Sequence, residues 1–266
     1  MLSATARARL TVVLVGARNP QNIGAGARAL HDFGFSDLRI VNDFAAPFEA
    51  AQLEAKSAVA ASSVMQNARR FDSLAEAIAG CQLVVGTTAI GQRELTQPVL
   101  PLALAAPLLL QTLGAPGPAS GTREGAATEP SVALLFGSEK TGLTSEQLSH
   151  CSLLTTIPLY APENARHLSM NLGQAVAVCL YELTRGGLEG AKELPVLREA
   201  PATADDRERL THLLLDVMQA TGYTRRFPAN ATEPLVRQLV QQLGATHREA
   251  MMWMGILRQI LWRETQ

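Results

Sequence analysis

The sequence predicts an α/β fold, a mostly parallel sheet with helices on both faces, followed by a small all-helical extension. Continuous β-branched and leucine runs such as Leu10 to Val15 have the pattern of strands buried on both faces. Such runs alternate with helical periodicity up to about residue 185, as β-α repeats do. Beyond residue 203 the helical period continues and no strand pattern appears.

The first strand, residues 10–15, leads into a helix over 22–33 that stops at Gly34, a residue suited to a left-handed C-cap. Residues 38–41 read as a second strand. Ser73-Leu-Ala-Glu76 has capping-box spacing and opens a short helix closing near Gly80, after which 82–86 is the next strand. The leucine-rich stretch 101–113 is helical. Residues 114–130, rich in Gly, Pro, Ala, Ser and Thr, form a flexible surface insertion. Two more strands, 131–136 and 153–157, flank a short helix opened by the capping box Thr144-Ser-Glu-Gln147, and a long helix covers 170–184. The chain thus divides into a domain over 1–185, a charged, proline-bounded linker over 186–202 and a helical extension over 203–266. In the extension, helices at 205–220 and 233–262 are separated by a turn near Gly222 and Pro228, and Met251, Met252, Trp253, Ile256, Leu257 and Ile260 can pack them as a hairpin.

With 47% apolar and 18% charged residues, the 266-residue chain can bury a core and needs no membrane. No apolar run approaches the ~20 residues of a membrane span, and Met1 to Arg9 lacks the apolar segment of a secretory signal. Cys81, Cys151 and Cys179 are widely spaced, which argues against a disulfide framework or a zinc site and for the cytoplasm. A net charge of −1 means that any nucleic-acid surface is local or completed by a second subunit.

Three segments carry candidate chemistry. Gly24-Ala-Gly26-Ala-Arg-Ala29 is formally a dinucleotide fingerprint with Asp43 downstream, which would make the chain an NAD-dependent oxidoreductase. Against this, residues 17–23 intervene where the glycines should follow the strand at once. Gly137-Ser-Glu-Lys-Thr-Gly142 has the gap of a phosphate loop, but Leu143 stands in place of its lysine. Gly137 and Gly142 can equally serve a tight strand-to-helix connection, with Glu139 a solvated loop carboxylate. In the third segment Ser169 can be a helix N-cap with Asn171 in the first turn, and Asn22 can likewise cap the helix that carries Arg28.

Taken together, Gly16-Ala-Arg-Asn-Pro-Gln-Asn-Ile-Gly-Ala-Gly-Ala-Arg28, Leu134-Leu-Phe-Gly-Ser-Glu-Lys-Thr-Gly-Leu-Thr144 and Leu168-Ser-Met-Asn-Leu-Gly-Gln-Ala-Val176 resemble, in order, the three motifs of the SpoU/TrmH class of the SPOUT methyltransferase superfamily. The resemblance spans roughly residues 10–185, and the helical tail makes the chain most similar to the TrmJ branch. It implies S-adenosylmethionine-dependent methylation of a ribose 2′-hydroxyl in RNA, for this branch a cytidine or uridine at tRNA position 32 in the anticodon loop. It also implies a trefoil knot in the carboxy-terminal part of the catalytic domain and an obligate homodimer. A non-catalytic RNA-binding protein of the same fold is the remaining alternative.

By the same resemblance, Arg28, Asn22, Glu139, Ser169 and Asn171 are catalytic. Gly86, Thr87, Thr88, Ala89, Gly137, Gly142, Ile157, Leu159, Ser169, Met170, Leu172 and Ala175 surround the cofactor. Arg18 and Arg93 belong to the RNA surface, and in the tail Arg225 and Arg226, beside Tyr223 and Phe227, can place cations and aromatic faces on RNA. Arg28 is open to two roles, proton acceptor or charged stabiliser of the developing alkoxide. Deprotonating an ordinary arginine at neutral pH costs roughly 9 kcal/mol, which weighs towards the second.

Overall fold

A computed structural model describes residues 2–41, 61–89, 95, 97–114, 131–160, 169–186 and 201–264. Along the chain run α1 (Ala4–Ala8), β1 (Leu10–Val15), α2 (Pro20–Asp32), β2 (Asp37–Val41), α3 (Ala61–Gln66), β3 (Arg69–Phe71), α4 (Leu74–Ile78), β4 (Leu83–Thr87), β5 (Val99–Pro101), α5 (Leu102–Gly114), β6 (Val132–Phe136), α6 (Ser145–Ser149), β7 (Leu153–Thr156) and α7 (Leu172–Gly186). The tail follows as α8 (Ala204–Ala220), α9 (Tyr223–Arg226), a 3-10 turn at Pro228–Asn230, α10 (Glu233–Gln242) and α11 (His247–Glu264).

The seven strands form one parallel sheet in the order β3-β2-β1-β6-β4-β7-β5. All residues of β1 and β6 are buried, as the uninterrupted apolar runs predict. Alternate residues feed two cores: Val12 and Leu14 face a layer with α2, α5 and α7, while Val13 and Val15 face α4, α6 and the start of α8. The chain leaves β1 towards β2 and leaves β6 towards β7. The carboxyl ends of β1 and β6 therefore border the crevice at the topological switch point, where open α/β sheets hold ligands.

The differences from expectation have local causes. β3 and β5, three residues each, lie at the sheet edges and have no apolar alternation to announce them. The expected helix over 233–262 is two helices, because Gly244 turns left-handed at φ 56° and Thr246 starts the second one. Thr246 and Glu249 hold that start as a reciprocal capping pair. The expected hairpin packing is also corrected: Leu210, Val240, Met254 and Leu257 form the buried tail core with Ile260 against it, whereas Met251, Met252, Trp253 and Ile256 are exposed. The insertion after Gly114, most of the 186–202 linker and the 161–168 segment lie outside the described residues. No helix among those described is long and apolar enough to cross a membrane.

α8 begins with a full capping box, Thr203 with Asp206, and Asp206 also bonds His247 Nδ1 at 2.8 Å, tying α8 to α11. Burial alone would raise the Asp206 pKa, but the bonds from His247 and Thr203 outweigh it and hold the carboxyl below its ordinary value. A carboxylate so depressed adds stability above its unfolded pKa and loses it as pH falls through the folded one. Asp206→Ala is therefore expected to lower stability at pH 7 by about 1–2 kcal/mol in urea titration. The gap should close only as pH falls through that depressed pKa, below the ordinary 3.8 of an aspartate; a gap that persists once the carboxyl is protonated would contradict the assignment.

Candidate active site

The site begins where β1 ends. Gly16, at φ 66°, donates its N–H to Val41 O at 2.7 Å and turns the chain towards α2. The helix cap is Asn19, whose side chain accepts from Gln21 N, followed by Pro20 at the first helical position. Asn22 is thus not the cap. It sits one turn in, only 8% exposed, and its amide is committed elsewhere.

After β6 the chain doubles back in a tight loop in which Gly142, at φ 65°, donates to Ser138 O at 2.8 Å. Gly137 has backbone of Gly142 and Leu143 where a Cβ would stand, so no larger residue fits. The loop swings Glu139 across to the start of α2. There its carboxylate accepts from Arg18 N and Asn19 N, both at 3.2 Å, and from Asn22 Nδ2 at 2.9 Å. Burial would raise the Glu139 pKa, but the Asn22 bond and the backbone N–H groups outweigh it and leave the carboxyl below its ordinary range. Glu139 is an anion at neutral pH, placed at the positive end of a helix.

The third segment joins the same chain of bonds. Asn22 Oδ1 accepts from Asn171 Nδ2 at 2.8 Å, and Asn171 Oδ1 accepts from Gly173 N at 3.0 Å and Gln174 N at 3.3 Å. Asn171, rather than Ser169, therefore caps α7. The polarity of the chain is fixed by its ends: a carboxylate can only accept and helix N–H groups can only donate, so each amide has one possible orientation. Close approach of α2 and α7 makes the link possible, since a Cβ on Gly173 would stand 2.6 Å from Ala25 Cβ.

Other expected positions gather along the same sheet edge. Thr87 Oγ1 donates to Leu135 O at 2.9 Å and Thr88 N to Thr155 O at 2.9 Å, which aligns the ends of β4, β6 and β7. Ile157 and Leu159 leave β7 half-buried, Met170 is half-buried before α7, and Ser169 is exposed beside it. Gly86 instead faces the core, where a Cβ would meet Cys151 Sγ at 2.7 Å, and the Leu172 side chain is itself core, as Ala175 partly is. Gly24 and Gly26 lie inside α2, with Gly26 against Leu14 and Val176, so they form no strand-to-helix phosphate turn. Arg28 is exposed on α2, about 9 Å along the helix axis from Asn22. Arg18 is exposed at the loop after β1, whereas Arg93 and Asp43 lie outside the described residues. Arg225 and Arg226 are exposed on α9, where Tyr223 and Phe227 rings sit 5.1 Å apart and Arg226 covers Phe227 at 5.3 Å.

One part of the site had no signal in the sequence. The tail roofs a cleft of about 490 Å³ at the switch point, with Gly16, Arg18, Ser138 and Gly142 on one wall and Glu208, His212 and Arg237 on the other. Glu208, His212 and Glu233 offer ligand atoms within 4.8 Å of one another, a spacing open to a metal ion. Arg237 already supplies the positive charge: Nε and Nη2 donate to the two Glu208 oxygens at 2.9 and 3.0 Å, and Nη2 also reaches Glu233. The cysteines take no part, being buried with their thiols pushed up, Cys179 to about 12.

Residues 9–181 match the model of the SpoU rRNA Methylase family. The chain is 33% identical over 254 residues to the tRNA (cytidine/uridine-2'-O-)-methyltransferase TrmJ of Sodalis glossinidius (strain morsitans), covering 94% of this chain and 91% of that protein. With TrmJ of Escherichia coli (strain K12) it shares 31% identity over 254 residues, 94% of each chain. Among solved structures, TrmJ from Z. mobilis ZM4 is similar at TM-score 0.73 and 28% identity over 94% of this chain and 98% of that one. A putative methylase family protein from Neisseria gonorrhoeae is similar at TM-score 0.57 and 26% identity, covering 75% and 91%.

Proposed function

Because the chain belongs to the SpoU methylase family, we propose that it methylates a ribose 2′-hydroxyl of tRNA, at a cytidine or uridine at position 32 in the anticodon loop, using S-adenosylmethionine. The observation that carries this is the bond chain Glu139–Asn22–Asn171, which draws all three motifs to one end of the sheet. The TrmJ relatives share this chain over nearly its whole length, tail included.

S-adenosylmethionine, when bound, supplies a methyl group on a sulfonium, ready for displacement by an oxygen nucleophile. The donor set suits it. Half-buried Ile157, Leu159 and Met170 offer apolar walls, and the end of β4 at Thr87 to Ala89 and the 137–142 loop offer polar groups for a base and a carboxylate. Glu139, held as an anion, is a poor proton acceptor. Its work is to fix Asn22 and the start of α2. Arg28, as a cation, binds a phosphate beside the target and stabilises the alkoxide as the methyl transfers. Ser169 and Asn171 line the pocket at the start of α7. Arg18, Arg93, Arg225 and Arg226 hold the RNA backbone and unpaired bases.

The same reading includes a catalytic domain over 1–185 with a trefoil knot, a linker over 186–202, a helical extension over 203–266, a homodimer and a cytoplasmic setting. With a net charge of −1, the cationic surface that meets RNA is local or completed by the second subunit.

The test is transfer of labelled methyl from S-adenosylmethionine to tRNA lacking its native methylations, followed by nucleoside analysis. A 2′-O-methylpyrimidine is expected, and Arg28→Ala should lower its formation at least about 100-fold. Cofactor binding with no transfer to tRNA would overturn this reading in favour of another RNA substrate or a non-catalytic binder.

A further inference from the structure

We propose that the tail acts on the chemical step as well as on RNA affinity, and that Arg237 is the positioning residue through which it does so. The proposal rests on the methyltransferase reading above. Arg237 is 3% exposed and gathers three helices: its fork holds Glu208 of α8 and Glu233 of α10, while Nη1 donates to Ser149 Oγ of α6 at 3.0 Å and stands 3.8 Å from Glu146. A second bond pair backs it. Gln241 of α10 donates to His150 O at 3.0 Å and accepts from Ser152 Oγ at 3.3 Å.

α6 is one turn and a half long and follows the Glu139 loop directly. Its N-cap, Thr144, is locked to Gln147 by a reciprocal capping box and comes two residues after Gly142. Such a short helix has little rigidity of its own, so its placement, and that of the loop it closes, is set by what it rests on. Beneath it lies α10. The physical route is therefore Arg237 to Ser149, α6 to Thr144, and the loop to Glu139, which fixes Asn22. A guanidinium suits this place because its planar fork can hold two carboxylates and a hydroxyl at fixed angles.

Two variants test this in the full-length protein, each assayed below its own melting temperature. Ser149→Ala removes the hydrogen bond from Arg237 to α6 and leaves the Arg237 contacts inside the tail intact, whereas Arg237→Gln removes the cluster. Expected are falls in kcat of about 3-fold and at least about 10-fold, with KM for tRNA within about 3-fold of wild type. Arg237→Lys, which keeps the charge and loses the fork, should lie between wild type and Arg237→Gln. Amide exchange over residues 138–142 should quicken in the same order, a readout independent of turnover. Folded variants with unchanged kcat and unchanged exchange would make Arg237 a plain staple and overturn the proposal. A rise in KM alone would overturn it too, leaving the tail an RNA-affinity module. A wild-type protein that transfers no methyl while the variants still loosen the loop would strike the functional reading and leave the mechanical link standing.

Discussion

Asn22→Asp should lower turnover on RNA by about 100-fold or more at pH 7.5 while leaving the fold intact. The substitution is isosteric and keeps the acceptor that Asn171 Nδ2 needs. It removes only the donor to Glu139 and sets a second carboxyl against the first, across a bond now 2.9 Å long. Two carboxylates at that distance cannot both ionise freely, so one takes up a proton or the loop carrying Glu139 swings away. Glu139 is otherwise held below its ordinary range, and its two backbone bonds, at 3.2 Å, are the longer ones. Displacement of the loop is the expected result. The size of the fall follows from what misplacing a preorganised polar group costs in other enzymes, a factor of about 100 to 1,000. The pH profile identifies the cause. A protonated carboxyl at position 22 can donate as the amide does, so the variant should regain activity relative to the wild type as pH falls from 8 towards 5.5. Asn22→Ala, which cannot donate at any pH, should show no such recovery. Single-turnover rates across that range are the measurement, and a variant within threefold of wild type at pH 7.5 would remove Asn22 from the site.

Much of this architecture was legible in the residues, and the boundary of legibility has a physical form. Strands β1 and β6 announce themselves because a strand buried on both faces must be apolar throughout. The capping boxes at Thr144 and the glycine stop at Gly34 are signals completed within four residues. Asn22 shows where such signals mislead. Its position before a helical run suggests a cap, yet Asn19 takes that task and Asn22 bonds partners 117 and 149 residues away. No periodicity records contacts at that separation. The family resemblance grouped Asn22, Glu139 and Asn171 as one site, but only the fold orders them into a chain with a defined polarity. Arg237 marks the other limit: no local pattern in the sequence sets it apart, and its burial depends on where α10 docks. The break between α10 and α11 was legible after all, in Gly244 and the capping spacing Thr246 to Glu249, but a continuous apolar period across the break masked it.

Gly137→Ala is expected to have the second large effect, and pairing it with Gly142→Ala separates two reasons for a glycine. At Gly142 the backbone is left-handed, φ 65°, but a Cβ there would meet nothing within 4 Å. Alanine at that position pays only the conformational penalty, about 1–2 kcal/mol. At Gly137 the obstacle is space: a Cβ would enter the backbone of Gly142 and Leu143. Those atoms cannot rotate aside as a side chain would, because Gly142 N is bonded to Ser138 O and Leu143 is buried below the loop. The loop must open instead. Opening it lifts Glu139 from Arg18 and Asn19 and loosens Leu143 from the core shared with Gly86 and Cys151. Overpacking of this kind costs about 3 kcal/mol in stability, and the lost placement of Glu139 should lower methyl transfer by about 100-fold. Urea titration and single-turnover assays of both variants decide the matter. If Gly142→Ala proved the more damaging of the two, conformation rather than close approach would govern the loop, and the backbone contact between Gly137 and Gly142 could not be what aims Glu139 at α2.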